Sequence, residues 1–260
     1  FIPPSLRSDP RATRLFARIV HWAALNHPFY RAFWDDPTLD IPILTRDIIQ
    51  RDSAAFLAGK TPTGFTSGST GQPVPVAWDK KRLLMENRDY GQYMSYTGGL
   101  RETVRLVSRA TRKFGDNVLD VTRPLPEQLA FVRQRHVEHG ATEIVTYPSN
   151  ADQLCRYVID KQLDLTFIKR FGLMSESVEP AQFEQVRRAF PGVDCWCSYS
   201  ATEVGIIAIL CPFDPPNYHV MAHKLGVEVL NDANEPCAPG ETGRVVITDF
   251  MNIYGPFIRY

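Results

Sequence analysis

The residues from Pro126 to Tyr199 alternate between helical and strand-like patterns, and this alternation constrains the fold more than any other feature. The segments PEQLAFVRQRHVEHG, ADQLCRYVIDKQL and EPAQFEQVRRAF have the periodicity of amphipathic helices. The intervening segments TEIVTY, LTFIKRFGL and VDCWCSY are typical of strands. Since helices between successive strands favour a parallel sheet with crossover connections, we predict an α/β fold.

The segments on either side of this core have different patterns. Apolar residues recur near helical spacing through much of the first segment, which predicts a helical N-terminal region over 1–58, with Thr45 as an N-cap. The last segment contains short alternating strands, GVEVL and GETGRVVITDF, with turn residues between them, and this predicts a small β subdomain over 215–260. The α/β core is then expected to cover 59–214.

Composition excludes several classes of protein. Lys plus Arg and Asp plus Glu each number 29 in 260 residues, so the formal net charge is 0 and no nucleic-acid partner is expected. The longest apolar run, VGIIAILC, is far shorter than the roughly 20 residues that span a bilayer, so we expect no membrane association. Five cysteines without regular spacing favour reduced thiols and a cytoplasmic protein. The chain begins without Met and ends abruptly at FIRY, so we expect a fragment of a longer protein.

The segment FTSGSTGQP, Phe65 to Pro73, is too rich in Gly, Ser and Thr to pack a core. One interpretation is an exposed surface loop. The other is an anion site, because glycines let the backbone approach a phosphate while N–H groups and hydroxyls donate to its oxygens. The loop lacks the Gly-Lys-Ser/Thr ending of a Walker motif, which makes a phosphotransferase the less favoured alternative.

Three segments occur in an order that resembles the adenylate-forming superfamily, most closely its phenylacetate-CoA ligase-like branch. They are FTSGSTGQP, SYSATEVG at Ser198 to Gly205, and GETGRVVIT with PFIRY at Gly240 to Tyr260. The segments HWAALNHPFYRAF, VTYPSNADQL and GLMSESVEPAQFEQVR add weaker similarity. The resemblance implies the large N-terminal domain of such an enzyme, with mostly parallel sheets, flanking helices and a small β subdomain.

The resemblance also implies an activity. ATP and a carboxylic acid, expected to be an aryl or arylacetic acid, would form an acyl-adenylate with Mg²⁺, and a thiol would then accept the acyl group. Coenzyme A is the expected thiol. A carrier-protein phosphopantetheine or an amine are alternative acceptors, and a non-catalytic nucleotide-binding homologue is an alternative from another class. A homodimer is also expected from the resemblance.

The resemblance assigns the nucleotide site to the Ser/Gly loop and to two later segments, through Thr66, Ser67, Gly68, Ser69, Thr70, Gly71, Ser175, Glu176, Tyr199 and Ser200. Glu203 follows a strand end, where open α/β sheets bind ligands, and its carboxylate suits Mg²⁺. Glu203 and Thr202, near the α-phosphate, are the implied catalytic residues. Without the neighbouring motif, simple solvent exposure would be the preferred explanation for Glu203.

The acyl substrate is expected to lie against Tyr147, Ser149, Ala201 and Gly205. Tyr147 at a strand end is equally consistent with core packing. A structural alternative also exists for Ser175 and Glu176, which precede Pro180 and are equally suited to cap a helix.

The chain departs from the pattern of this family at several places. Relatives commonly carry Lys where this sequence has Gln72, which removes a cation that could face pyrophosphate. Ser200 stands where a Gly is usual, so an acid of unusual shape is expected. The family's ribose-binding Asp would follow Tyr260, and a mobile C-terminal domain with a catalytic Lys would come later. These residues alone are therefore expected to adenylate slowly or not at all.

Cys195, Cys197, Cys211 and His219 are a candidate set of zinc ligands, because the first two project from one face of a strand. Cys237 and His223 are alternative ligands. Buried free thiols and a surface His explain the same residues without a metal, since the spacing fits no pair of CxxC hooks.

Overall fold

A computed structural model describes residues 1–66, 72–96, 101–108 and 115–260. The described chain forms two compact units. The first unit consists of Phe1–Arg88, Ala201–Ile207 and Val220–Tyr260, and the second consists of Asp89–Ser200 and Ala208–His219. The domain ranges given above, 1–58, 59–214 and 215–260, stay a prediction.

Helices dominate the first segment of the chain, as predicted. The α-helices are α1 (Pro10–Asn26), α2 (Pro28–Phe33), α3 (Arg46–Arg51), α4 (Ser53–Leu57), α5 (Lys80–Tyr96), α6 (Leu125–His139), α7 (Pro148–Asp160) and α8 (Pro180–Ala189). Short 3-10 turns cover Pro4–Leu6 and Gly115–Asn117. Thr45 occupies the N-cap position of α3, but its side chain makes no capping hydrogen bond.

The strands form one large sheet and two hairpin-like pairs. They are β1 (Gly64–Phe65), β2 (Pro75–Val76), β3 (Thr103–Leu106), β4 (Val118–Leu119), β5 (Glu143–Thr146), β6 (Arg170–Leu173), β7 (Asp194–Ala201), β8 (Gly205–Leu210), β9 (Tyr218–Val220), β10 (Leu225–Leu230) and β11 (Arg244–Asp249). The large sheet has seven strands in the order β4-β3-β5-β6-β7-β8-β9.

The predicted α/β architecture is confirmed. Strands β4, β3, β5, β6 and β7 pair in parallel, and their register aligns Val104, Ile144, Phe171 and Cys195 across four strands. Helices α6, α7 and α8 connect these strands along the chain. Crossover helices are the connection that parallel neighbours require, so the alternation in the sequence and the sheet agree.

The core of the second unit lies between its strands and these helices. Ile144 and Phe171 from the strands pack with Leu154 and Val158 of α7 and Val186 of α8, and all five are buried. Leu154 and Val158 lie four positions apart on one face of α7, as the sequence pattern predicts.

An aromatic cluster forms the core of the first unit. The ring of Phe56 packs edge-on against Phe29, at 5.4 Å between centroids, and against Phe257 at 5.1 Å. The Tyr30 hydroxyl donates a hydrogen bond to the carbonyl of Pro256. These contacts fix the last residues of the chain against the first helices. In the antiparallel pair β10–β11, Val227 aligns with Ile247.

None of the helices in the described ranges is long and apolar enough to cross a membrane.

Candidate functional site

Glu203 lies on the turn that follows β7 and is largely buried, with 9% of the residue's surface exposed. The hydroxyl of Tyr260 donates a hydrogen bond to Glu203 Oε1 at 2.9 Å. The indole Nε1–H of Trp78 donates to the main-chain carbonyl of Glu203 at 3.0 Å. Both the side chain and the backbone of Glu203 are therefore held by aromatic residues distant in sequence.

The pKa of Tyr260 is raised, first by burial and then by the adjacent Glu203 carboxylate. A hydroxyl with a raised pKa keeps its proton at neutral pH, so it acts as a donor and Glu203 accepts. Among the described residues, no hydrogen bond occupies the second carboxylate oxygen, Oε2 of Glu203. This oxygen is available to a ligand.

The buried guanidinium of Arg82 supports the backbone of this turn. Arg82 Nε lies 2.7 Å from a carboxylate oxygen of Asp249, and Nη1 lies 2.9 Å from Glu86. Nη2 donates to the carbonyl of Val204, and the guanidinium stacks over the Trp78 ring at 4.8 Å. Burial alone would lower the pKa of Arg82, but the charges of Asp249 and Glu86 raise it, so the side chain stays cationic.

Glu86 extends this support to the next residues. Its carboxylate accepts a hydrogen bond from the Ile206 N–H at 2.7 Å and pairs with Lys224 Nζ at 2.5 Å. Gly205 has φ +68°, and a Cβ placed on it would lie 2.5 Å from Glu86 Oε2. Position 205 therefore requires glycine, both because its φ is positive and because a Cβ would collide with the Glu86 carboxylate.

Of the Ser/Gly loop, the structure describes the two flanks. Thr66 is buried, and its Oγ1 accepts hydrogen bonds from the Val74 N–H at 2.9 Å and from Arg46 Nη2 at 3.1 Å. The carbonyl of Gln72 accepts from the same Arg46 nitrogen at 3.0 Å and from the side-chain amide of Gln50. The five loop positions predicted to contact phosphate lie outside the described residues: Ser67, Gly68, Ser69, Thr70 and Gly71.

The first unit therefore contains Glu203 and four other predicted positions, Thr66, Ala201, Thr202 and Gly205. Thr202 is exposed and Ala201 is half-buried. The exposed hydroxyl of Thr202 is accessible to a ligand, and the roles assigned to these positions stay predictions.

The other predicted contacts belong to the second unit. Tyr199 on β7 is 47% exposed and Ser200 is also exposed, so the Tyr199 ring is accessible for stacking. Tyr147 is half-buried, and its hydroxyl accepts a hydrogen bond from the Ser108 N–H at 3.2 Å. This bond gives Tyr147 a structural role, while its incomplete burial leaves the predicted substrate contact a prediction.

Glu176 and Ser149 are in direct contact. The N–H and the hydroxyl of Ser149, in the first turn of α7, donate to the two carboxylate oxygens of Glu176 at 2.9 Å each. Glu176 therefore caps α7, whereas the sequence alternative placed the cap before Pro180, where α8 begins with Glu179 as its N-cap. Ser175 has φ +68°, a left-handed conformation that turns the chain toward this capping contact.

The cysteines do not form a metal site with the neighbours that we proposed. In the described ranges, no group of three or more His, Cys, Asp or Glu side chains could hold a metal, and Cys195, Cys197, Cys211 and His219 are all described. Cys195 and Cys197 face the apolar core, and burial raises the pKa of both thiols, to about 11 for Cys195. Cys197 Sγ instead lies 2.8 Å from the hydroxyl of Tyr218. Thiols that stay protonated in an apolar core are poor zinc ligands.

Magnesium is a different case, because it commonly binds one or two carboxylates together with substrate phosphates. A dedicated cage of protein ligands is not needed. The available Oε2 of Glu203, fixed by the Tyr260 hydrogen bond, fits that requirement. The residues present are therefore compatible with Mg²⁺ that arrives with a nucleotide.

An open cavity of about 400 Å³ lies elsewhere, lined by Glu102, Asp116, Asn117 and His139. None of the predicted site residues lines it. Its lining is polar and partly acidic, which does not suit an anionic substrate.

Sequence reasoning missed the residues that hold the Glu203 turn. Arg82 and Glu86 stand four positions apart on α5, a spacing that could have indicated an ion pair on a helix. Nothing in the sequence indicated that Asp249 would pair with Arg82 across 167 positions. Tyr260 belonged to a recognised segment, but its hydrogen bond to Glu203 was not anticipated.

Known proteins resemble this chain in three-dimensional structure but not at the level of sequence families. No protein-family model matches the sequence, and no curated protein matches it. The fold is similar to the crystal structure of 2-hydroxyisobutyryl-CoA ligase in complex with 2-HIB-AMP and CoA, with a TM-score of 0.74 and 17% identity. The likeness covers 99% of this chain and 62% of that chain, so this chain spans less than two thirds of the ligase.

Two further solved structures are similar over a smaller part. VinN has a TM-score of 0.54 and 21% identity, over 81% of this chain and 57% of its own. The amide bond synthetase McbA from Marinactinospora thermotolerans has a TM-score of 0.53 and 20% identity, over 74% of this chain and 41% of its own. The chain thus has the fold of the N-terminal domain of adenylate-forming enzymes, as the resemblance implied. At these identities the likeness establishes the fold alone.

Proposed function

We propose that the protein containing this chain activates a carboxylic acid with ATP and transfers the acyl group to a thiol, with coenzyme A as the acceptor. The observation that carries this proposal is Glu203. Its carboxylate follows a strand of the large sheet, is held by Tyr260, and keeps one oxygen available. The similar ligase was solved with an acyl-AMP and CoA bound, which supports the same chemistry for this fold.

The first step joins the acid to the nucleotide. A carboxylate oxygen of the acid attacks the α-phosphorus of ATP and forms an acyl–oxygen–phosphorus bond. The bond from that phosphorus to the oxygen bridging the β-phosphorus breaks, and pyrophosphate leaves with the electron pair. Mg²⁺, when bound by Glu203 and the phosphates, would neutralise charge that builds up in this transfer.

The chain's own residues have distinct roles in this proposal. Tyr260 fixes the orientation of the Glu203 carboxylate, and Arg82 holds the Val204 carbonyl so that the turn cannot shift. Thr202, exposed on the same turn, contacts the α-phosphate, and the Ser/Gly loop donates hydrogen bonds to the other phosphates. Tyr199 stacks on the adenine ring. Preorganised groups of this kind account for much of the rate enhancement in phosphoryl and acyl transfer.

In the second step the sulfur of the thiol attacks the acyl carbon. The carbon–sulfur bond forms, the thiol proton passes to solvent, and AMP leaves with the oxygen of the mixed anhydride. An aryl or arylacetic acid is the proposed substrate class, from the resemblance to the phenylacetate-CoA ligase-like branch. Ser149, Tyr147, Ala201 and Gly205 are the proposed contacts of the acyl group.

The test is carboxylate-dependent release of pyrophosphate from ATP and Mg²⁺ by the full-length protein, across a panel of aryl and arylacetic acids. Glu203→Gln keeps the shape of the side chain and its acceptor for Tyr260 but removes the charge. We expect it to lower the rate about 100-fold or more, the usual loss for one preorganised electrostatic group.

Glu184→Gln is the matched control, because Glu184 is an exposed carboxylate on α8 and its loss should leave the rate unchanged. Equal rates for Glu203→Gln and wild type would contradict the proposed role of Glu203. Release of ADP rather than AMP would indicate that the protein catalyses phosphotransfer and not adenylation. Direct competition between coenzyme A, a carrier-protein thiol and an amine for the activated acid would identify the acceptor.

A further inference from the structure

Arg46, the first residue of α3, links the two flanks of the Ser/Gly loop. Its Nη2 donates to Thr66 Oγ1 at 3.1 Å on one side and to the Gln72 carbonyl at 3.0 Å on the other. A single guanidinium therefore lies against both described ends of the segment that is proposed to bind phosphates.

Neither acceptor depends on Arg46. Thr66 Oγ1 also accepts from the Val74 N–H at 2.9 Å, and the Gln72 carbonyl also accepts from the amide of Gln50. Both hydrogen bonds from Arg46 use Nη2, and its buried Nε has no partner among the described residues. Among the described residues, only Nη2 of this guanidinium has hydrogen-bond acceptors, although an unsatisfied buried donor is unfavourable.

Arg46 also lies close to the Glu203 side of the site. The N–H of Leu44, two residues earlier, donates to the carbonyl of Arg259 at 2.7 Å, which brings the start of α3 beside Tyr260. The start of α3 therefore contacts both the loop flanks and the end of the chain whose Tyr260 holds Glu203, and all of these residues belong to the first unit.

A nucleoside triphosphate carries several negative charges, and Glu203 adds another beside it. A guanidinium with unpaired donors is the side chain best suited to such a site, since it binds phosphate oxygens through charge-assisted and often bidentate hydrogen bonds.

We propose that Arg46 is a binding residue for the phosphate chain of the nucleotide, an inference that rests on the proposed function of this site. In this role Arg46 selects ATP over uncharged nucleosides and compensates for the charge of Glu203.

The experiment compares ATP with adenosine by calorimetric titration of the full-length protein in the presence of Mg²⁺. We expect Arg46→Ala to weaken ATP binding about 10- to 100-fold, the range for losing hydrogen bonds to a charged group, and to leave adenosine binding unchanged. Arg46→Lys keeps the charge without the planar fork, and we expect an intermediate loss. Since both protein acceptors keep a second donor, the thermal stability of Arg46→Ala should stay near that of wild type.

Arg51→Ala is the matched control, because it removes the same charge from the exposed end of the same helix. It should not change ATP affinity. Equal losses of ATP and adenosine binding in Arg46→Ala, or no loss, would overturn the role of Arg46, while ATP binding by wild type would leave the proposed function standing. A wild-type protein that binds ATP no better than adenosine would overturn both.

Discussion

Gly205→Ala is the substitution that most directly tests how the Glu203 turn is held. Gly205 has φ +68°, a conformation that costs a residue with a side chain about 1–2 kcal/mol. The new Cβ would also meet all three carboxyl atoms of Glu86 at 2.5 to 2.6 Å. Glu86 cannot move away freely, because it also bonds to Arg82, Lys224 and the Ile206 N–H.

Displacing Glu86 would break at least one charge-assisted hydrogen bond, which contributes about 1.5–3 kcal/mol. Together with the backbone strain, we expect Gly205→Ala to lower the free energy of unfolding by about 2.5–5 kcal/mol. Urea denaturation followed by circular dichroism measures this quantity.

The matched control is Gly59→Ala in the same unit. Gly59 has φ +75°, and a Cβ placed on it would have no atom within 4 Å. It should therefore lose about 1–2 kcal/mol, from backbone strain alone. If the two variants differ by less than about 0.5 kcal/mol, the limit of additivity for independent sites, then Glu86 is not held as described.

Two further predictions concern the second unit. Glu176→Ala removes both hydrogen bonds to Ser149 and should lower the free energy of unfolding by about 0.5–2 kcal/mol, the cost of losing a helix cap. The control, Glu184→Ala, should stay within about 0.5 kcal/mol of wild type. Equal denaturation midpoints for the two variants would argue against the cap. Burial raises the pKa of Cys155 from 9.0 to about 12, so its contribution to stability is complete below pH 9.0 and is lost as pH rises toward about 12. Above pH 9.0, the free energy of unfolding of wild type should therefore fall faster than that of Cys155→Ala, by up to about 1.4 kcal/mol per pH unit. If the two proteins lose stability in parallel as pH rises, then burial does not raise the pKa of Cys155.

The parts of the fold that were predictable are those that depend on local periodicity. Leu154 and Val158 recur at helical spacing, and this pattern identified α7 and its buried face before the structure did. The position of Glu203 after a strand was equally readable, because β7 is long and ends within the recognised segment SYSATEVG.

What could not be predicted depends on contacts between distant positions. The pairing of Arg82 with Asp249 has no sequence signature, because a buried ion pair depends on the three-dimensional packing of two elements. The alternation of Cys195 and Cys197 correctly placed both thiols on one face of β7, but the sequence did not show that this face is covered by the apolar core. In the described ranges these thiols accordingly belong to no cluster of metal-ligating side chains.

The shared use of Arg82 has a consequence for how this protein can vary in evolution. The Arg82 guanidinium forms ion pairs with the carboxylates of Asp249 and Glu86 and donates a hydrogen bond to the Val204 carbonyl. Glu86 also forms an ion pair with Lys224. A substitution at any one of these charged positions leaves a buried partner unmatched, and breaking a buried pair is more unfavourable than replacing the whole set. Homologues should therefore exchange Arg82, Glu86, Lys224 and Asp249 together or not at all, so that these positions covary as one inherited group.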